Sequence, residues 1–282
     1  MNTYLLRRNF NRGILWIFAL IFAVILFFPI YWMVCIVFSP TGVPIALNPR
    51  FYPSSFLEGI GKINQIFVER SFLRAYLVSF IYSGMSCIFG AFVTSMAAFE
   101  FALYKFRGKN FLFGMAMIAL LVPKTVFLVP LYLFCAKDLN WLNTFKGLIV
   151  PGVADAFGLF MLTENMKGLP RDLFDAASVD GANHFQLYYK VALPLSKNII
   201  VTLIILIFMR TWGNLTWPMI IASNQQYYTV SRIINWFNQP DTWVTTDNIM
   251  AANFMAAIPP ILIFIFFQQY VMKGIAYTGL KE

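Results

Sequence analysis

Between Ile14 and Phe38 no position is charged, and Pro29 alone interrupts the apolar run. Roughly 20 apolar residues suffice to cross a bilayer, so the run predicts a first membrane-spanning helix. A basic segment, residues 1–13 with Arg7, Arg8 and Arg12, precedes it. No A-x-A pattern follows closely, which predicts an uncleaved anchor. Ser39 to Arg70 is polar and broken by Pro40, Pro44, Pro49 and Pro53, predicting an exposed loop outside the membrane. Five further apolar runs follow: Leu73–Leu103, Phe111–Phe134 with Pro123 and Pro130 inside it, Gly147–Met166, Ile199–Ala222 and Ile249–Met272. The first of these carries Ser83, Gly84, Ser86, Gly90, Ala91, Ser95, Ala97 and Ala98, small residues that suit close helix packing in lipid. The pattern therefore predicts an all-α integral membrane protein of six spans. Its parts are a segment 1–13, a first helix and extracytoplasmic loop 14–72, a five-helix core 73–272 and a tail 273–282.

One polar stretch within the core breaks this rhythm. Residues 170–194 predict two short helices around a glycine elbow. Pro170 starts a helix over Asp172–Asp180, and Gly181, which tolerates a left-handed stop, closes it. Asn183 can cap a second helix while Gln186 reaches back to it, and Pro194 ends that helix or kinks it into the next span.

Composition agrees with a bilayer setting: 60% of residues are hydrophobic, 18% aromatic and only 12% charged, too apolar for a soluble chain of 282 residues. The net charge of +9 is then read first as topology rather than as nucleic-acid binding. Lys and Arg divide as about twelve on one side of the six-span arrangement and about seven on the other. The first side holds both termini, the tight turn with Lys105, Arg107 and Lys109, and the elbow with Lys190. The second holds Arg50, Lys62, Arg70, Arg74, Lys137, Lys146 and Arg232. The imbalance predicts that both termini and the elbow are cytoplasmic. Cys35, Cys87 and Cys135 are scattered and odd in number, so neither a disulfide framework nor a metal motif is expected.

Catalytic chemistry is absent from the sequence pattern. There is no phosphate loop of the G-x-x-x-x-G-K-[ST] type, no H-E-x-x-H, and the single histidine lacks companions for catalysis or for a metal. Three ionisable residues, Lys124, Asp155 and Arg210, fall inside predicted spans, where a charge costs on the order of 3 kcal/mol and requires a partner or water. Two readings stand. Either they lie on a solute path, or Lys124 pairs with Asp155 as a structural contact and Arg210 meets a carbonyl or a partner subunit. Trp212 and Trp217, with Asn214 between them, either stack on a sugar ring and bind its hydroxyls or anchor the helix at the membrane interface.

The spacing D-A-A-x3-G-x9-V-x-L-P, from Asp175 through Ala176, Ala177 and Gly181 to Leu193 and Pro194, resembles the EAA motif of ATP-binding-cassette importer permeases, usually E-A-A-x3-G-x9-I-x-L-P. The stretches LVPKTVFLVPLYLF, TWGNLTWPMII and FQQYVMKGIAYTGLKE are similar to the smaller permease subunit of maltose-type carbohydrate importers. The resemblance implies the type I importer permease fold, working by alternating access in the inner membrane of a prokaryote. It implies a second permease subunit, two ATPase subunits and an extracytoplasmic solute-binding protein as partners. ATP and Mg would sit on the ATPases, with no cofactor on this chain. The elbow is then a coupling helix seated in an ATPase groove, with Phe174, Asp175, Ala176, Ala177, Asp180, Gly181, His184, Phe185, Leu193 and Pro194 as coupling residues. A carbohydrate is the expected solute. Alternatives are a glycerol-phosphate-type solute, a secondary transporter or channel driven by an ion gradient, or a membrane anchor that transports nothing.

Overall fold

The computed structural model describes residues 2–40, 49, 51–69, 71–239 and 244–279, with side chains described between residues 12 and 270 except that of Glu69. Pro44, Arg50, Arg70 and Lys281, used above, lie outside the described residues, as do the side chains of Arg7, Arg8 and Lys273. The described chain is all-helical: α1 Asn2–Val37, α2 Phe56–Glu69, α3 Phe72–Leu103, α4 Lys109–Leu121, α5 Lys124–Asp138, α6 Phe145–Gly152, α7 Ala156–Lys167, α8 Arg171–Val179, α9 His184–Leu195, α10 Lys197–Trp212, α11 Thr216–Ile221, α12 Val230–Phe237 and α13 Thr246–Gly279. Three helices are long and apolar enough to span a membrane: Arg12–Val37 of α1, Phe72–Leu103, and Thr246–Tyr270 of α13. Three bent pairs bring the total to six if each is one span: α4 with α5 (101°), α6 with α7 (45°) and α9 with α10 (82°).

The breaks have local causes. Pro123 has no amide hydrogen to donate and holds the preceding Val122 extended, so α4 stops there. The third apolar run, Phe111–Phe134, is thus interrupted at Pro123 as its sequence predicts, into two helices at a steep angle. The fifth run also divides: α10 ends at Gly213, and Thr216 starts a separate short helix.

Two expected loops carry helices. After Pro53 no proline remains in the first loop, Ser55 accepts from the Glu58 amide, and Phe56–Glu69 winds into α2. In the second, the polar segment from Ser223 to Asp247 expected as a loop, the residues Val230, Ile233 and Phe237 repeat at helical spacing and are all buried, which makes α12 amphipathic.

The chain divides into two compact units, one of residues 1–72 and 236–257, the other of 73–235 and 258–282. In the first, Lys62 is buried. Its ammonium donates to the carbonyls of Ile36 (3.2 Å) and Ser39 (2.6 Å) and lies 3.4 Å from Asp247. The cation therefore binds the unpaired carbonyls at the end of α1 and an acid in the first turn of α13, rather than standing in an exposed loop.

The second unit is organised on α3, α7 and α10. A Cβ on Gly158 of α7 would lie 2.5 Å from Leu203 of α10 and 3.2 Å from Thr94 of α3, so only glycine lets these helices approach so closely. Among the small residues of α3, Ser83, Ser86, Ala91, Ser95 and Ala98 are buried, and a Cβ on Gly90 would lie 3.0 Å from Ile207 of α10.

Candidate functional site: the elbow and the charges between the helices

The elbow forms as two short helices, and its geometry follows from local chemistry. Pro170 precedes the first turn of α8. At the other end Gly181 adopts φ +82°, its amide donates to Ser178 and that of Ala182 to Ala177. These two bonds satisfy the last carbonyls of the helix as a Schellman motif does. Asn183 then starts α9. Its side chain accepts from the Gln186 amide (2.9 Å), and the Gln186 side chain accepts from the Asn183 amide (2.9 Å), a complete capping box. The first helix runs Arg171–Val179, one residue earlier at each end than expected. Leu187–Ala192 winds as a π-helical turn within α9. Pro194 withdraws one amide donor in the last turn, and the chain swings by 82° at Ser196 into α10.

The elbow has a seated side and a free side. On the seated side Phe174 is 7% exposed and Tyr188 is buried, and both rings lie against Phe99 of α3. The Tyr188 hydroxyl is 2.8 Å from the Ser95 hydroxyl. The His184 ring lies edge-on to Phe99 and tilted against Tyr104, and its Nε2 meets the Glu100 carboxylate. Burial, with that carboxylate nearby, raises the pKa of the Tyr104 hydroxyl above its usual value. Leu193 is half-buried and Ala177 partly so. On the free side Val179 is 87% exposed and Phe185 54%, with Leu173 and Tyr189 also exposed. Asp175, Ala176, Asp180, Gly181 and Pro194 are exposed too. Neither the Asp175 nor the Asp180 carboxylate has an ionic partner among the described residues.

Phe174 is thus packed on this chain's own α3, and His184, half exposed, pairs with Glu100 of the same helix. Nothing in the sequence paired Glu100 with His184, because the two are 84 positions apart. A lone acid at the end of an apolar run was the available signal.

The charges between the helices pair differently from the structural contact weighed above. Arg210 Nη1 donates to Asp155 Oδ2 at 3.0 Å, joining α10 to the residue that precedes α7. The Asp155 side chain is 9% exposed and that of Arg210 34%. The Lys124–Asp155 pair is therefore not formed. Lys124 is exposed at the break between α4 and α5 and has no ionic partner among the described residues.

The tryptophans are packed away. Trp212 is 4% exposed, with Tyr76 and Phe80 edge-on and Phe208 stacked on it. Trp217 is buried and its indole donates to the Gly147 carbonyl at 2.9 Å. Asn214 donates to the Tyr82 hydroxyl (3.3 Å) and accepts from the Trp217 amide (3.4 Å). Neither indole presents a face for sugar stacking or an edge to the membrane interface within this unit.

Residues 88–277 match the family described as binding-protein-dependent transport system inner membrane component. Among curated proteins, the chain is 26% identical to the arabinooligosaccharides transport system permease protein AraQ of Bacillus subtilis, over 96% of each. It is 28% identical to the sn-glycerol-3-phosphate transport system permease protein UgpE of Brucella melitensis, over 90% of this chain and 92% of that one. Its fold is similar to that of a chain in a crystal structure of a bacterial ABC transporter involved in the import of the acidic polysaccharide alginate. The TM-score is 0.82 and the identity 19%, over 94% of this chain and 98% of the other.

Proposed function

Because the chain belongs to the family of binding-protein-dependent transport system inner membrane components, we propose that it is the permease subunit of an ATP-driven importer of a sugar or oligosaccharide. The observation that carries this reading is the elbow: the importer spacing from Asp175 to Pro194 folds into two capped helices around a left-handed Gly181. Such a rigid polar insert, with apolar side chains left in water, suits docking in a groove of a cytoplasmic ATPase.

In this reading each elbow residue has a role. Val179 and Phe185 are the apolar anchors, Asp175 and Asp180 offer carboxylates to basic groups of the ATPase, and Ala176 and Ala177 let the two backbones approach. Gly181 sets the angle between the two helices, with Leu193 and Pro194 setting the exit into α10. Phe174 and His184 hold the elbow to α3 from behind.

The chain itself carries no ATPase chemistry and holds no cofactor; ATP and Mg belong to two partner ATPase subunits. A second permease subunit completes the pore, and an extracytoplasmic solute-binding protein delivers the solute. Both termini are cytoplasmic and the protein lies in the inner membrane of a prokaryote. Lys124, Asp155 and Arg210 line or flank the solute path, with Trp212, Asn214 and Trp217 forming the packed wall behind it.

A carbohydrate is favoured because AraQ, alike over nearly its whole length, is named for arabino-oligosaccharides. A second reading, a phosphorylated polyol, is favoured by the exposed Lys124, which has no ionic partner among the described residues, and by the likeness to UgpE. Uptake into proteoliposomes carrying the whole complex tests both. Arabino-oligosaccharide and sn-glycerol-3-phosphate are the two arms, each with and without ATP. Uptake in either arm that requires ATP is expected; uptake that follows an ion gradient and ignores ATP overturns the importer reading.

Docking has its own test. Val179→Asp and Phe185→Asp each place a charge where an apolar groove is expected; Val179 is 87% exposed, whereas Phe185 also packs its ring on the buried Tyr188, so Val179→Asp is the variant that leaves the fold untouched. Each is expected to lower recovery of the ATPase on purification of the permease, with unaltered thermal stability of the permease in Val179→Asp. Full recovery of the ATPase with both variants would move the docking surface elsewhere.

A further inference from the structure

We propose that Glu100 is a positioning residue for energy coupling: its pair with His184 clamps the elbow to the C-terminal end of α3, so that movement of the elbow is delivered to that helix. The inference rests on the importer reading above. Both covalent exits of the elbow are turns. Gly168–Pro170 precedes α8, and Ser196, at the 82° bend, follows α9. A push on the elbow can be absorbed at these turns unless contacts from the side hold it, and the contacts described above come from α3.

Both halves of the elbow reach the same turns of α3: Phe174 from α8, and His184 and Tyr188 from α9, gather on Phe99 with ring centroids 5.4–6.5 Å apart. The Ser95–Tyr188 bond lies one turn earlier on that helix. Of these, Ser95, Phe99, Phe174 and Tyr188 are buried, so their loss disturbs the fold as well as the coupling.

Glu100 differs. Its side chain and that of His184 are 43% and 53% exposed, and a polar pair so open to solvent contributes little to stability. It nevertheless fixes the rotation of the imidazole that Phe99 and Tyr104 hold between them. Geometry is thus what the pair supplies, and removing it separates coupling from folding.

The test is made on the reconstituted complex with its ATPases and binding protein, reading solute uptake and ATP hydrolysis together. Glu100→Ala and His184→Ala are each expected to lower the solute carried per ATP hydrolysed by roughly tenfold, within the usual range of coupling between sites. Thermal stability stays at the wild-type value in Glu100→Ala, which leaves the packing of the imidazole on Phe99 and Tyr104 in place. Glu100→Gln, which keeps an acceptor for the imidazole, and the exchange Glu100→His with His184→Glu are expected to recover most of that ratio.

A wild-type ratio in Glu100→Ala overturns the proposal. So does an equal fall in uptake, hydrolysis and thermal stability, which would make the pair an ordinary structural contact. Failure of the importer reading is distinct, since the unmutated complex would then take up solute without ATP.

Discussion

Gly181→Ile is expected to give a permease that inserts and assembles yet loses most of its ATP-driven uptake. Gly181 sits at φ +82°, and a Cβ added there would meet nothing within 4 Å. The cost is therefore in the backbone alone. A left-handed conformation costs an L-residue about 1–2 kcal/mol, and a branched Cβ is the worst case. Relieving that strain rotates α9 relative to α8 and breaks the amide bonds from Gly181 and Ala182 that close α8. A bias of that size shifts the population of the docked elbow by on the order of tenfold. Gly181→Asn is the control, because asparagine enters the left-handed region more readily, and it should keep most of the coupling. ATP-dependent uptake in proteoliposomes, compared with membrane insertion by protease protection, checks the prediction. Full coupling in the isoleucine variant would reduce the elbow to an ordinary interfacial loop.

The second large effect is expected at Arg210. Arg210→Leu removes the partner of a carboxylate that is 9% exposed. Breaking a buried pair costs about 3–5 kcal/mol, and roughly half of that is expected here because the guanidinium is one-third exposed and already screened. The variant should lose uptake and melt at a lower temperature. Adding Asp155→Asn removes the stranded charge, so the double variant should regain thermal stability. Uptake is expected to stay low in the double variant, since on the proposed reading the exposed part of Arg210 faces the solute. Recovery of both quantities would make the pair purely structural, and normal uptake by Arg210→Leu alone would remove it from transport altogether.

The two sites differed in how far they were legible. At the elbow, helix starts and stops depend on residues within one turn of each other, so Asn183, Gln186 and Gly181 announced their conformations in the sequence. The side of the elbow that seats on α3 was not legible, because Ser95 and Glu100 meet residues 93 and 84 positions away. The ion pair behaved similarly. Hydrophobicity flagged Lys124, Asp155 and Arg210 as costly charges needing partners, but which of the two cations reached Asp155 depended on a break in the third apolar run. The 101° bend carries Lys124 on a separate short helix, while α7 and α10, packed together at Gly158, bring Arg210 to Asp155.

By itself the sequence determined the solvent, the number of apolar runs and the shape of the elbow. Each of these is set by transfer energies summed over contiguous residues or by hydrogen bonds between near neighbours. Tertiary structure decided the rest: the burial of Trp212 and Trp217, the capping of α1 by Lys62, and the choice of Arg210 over Lys124. It also decided which helix the elbow leans on. Those outcomes depend on which surfaces meet after the chain has turned back on itself. Meetings of that kind are governed by close packing across many residues and leave no periodic trace along the chain.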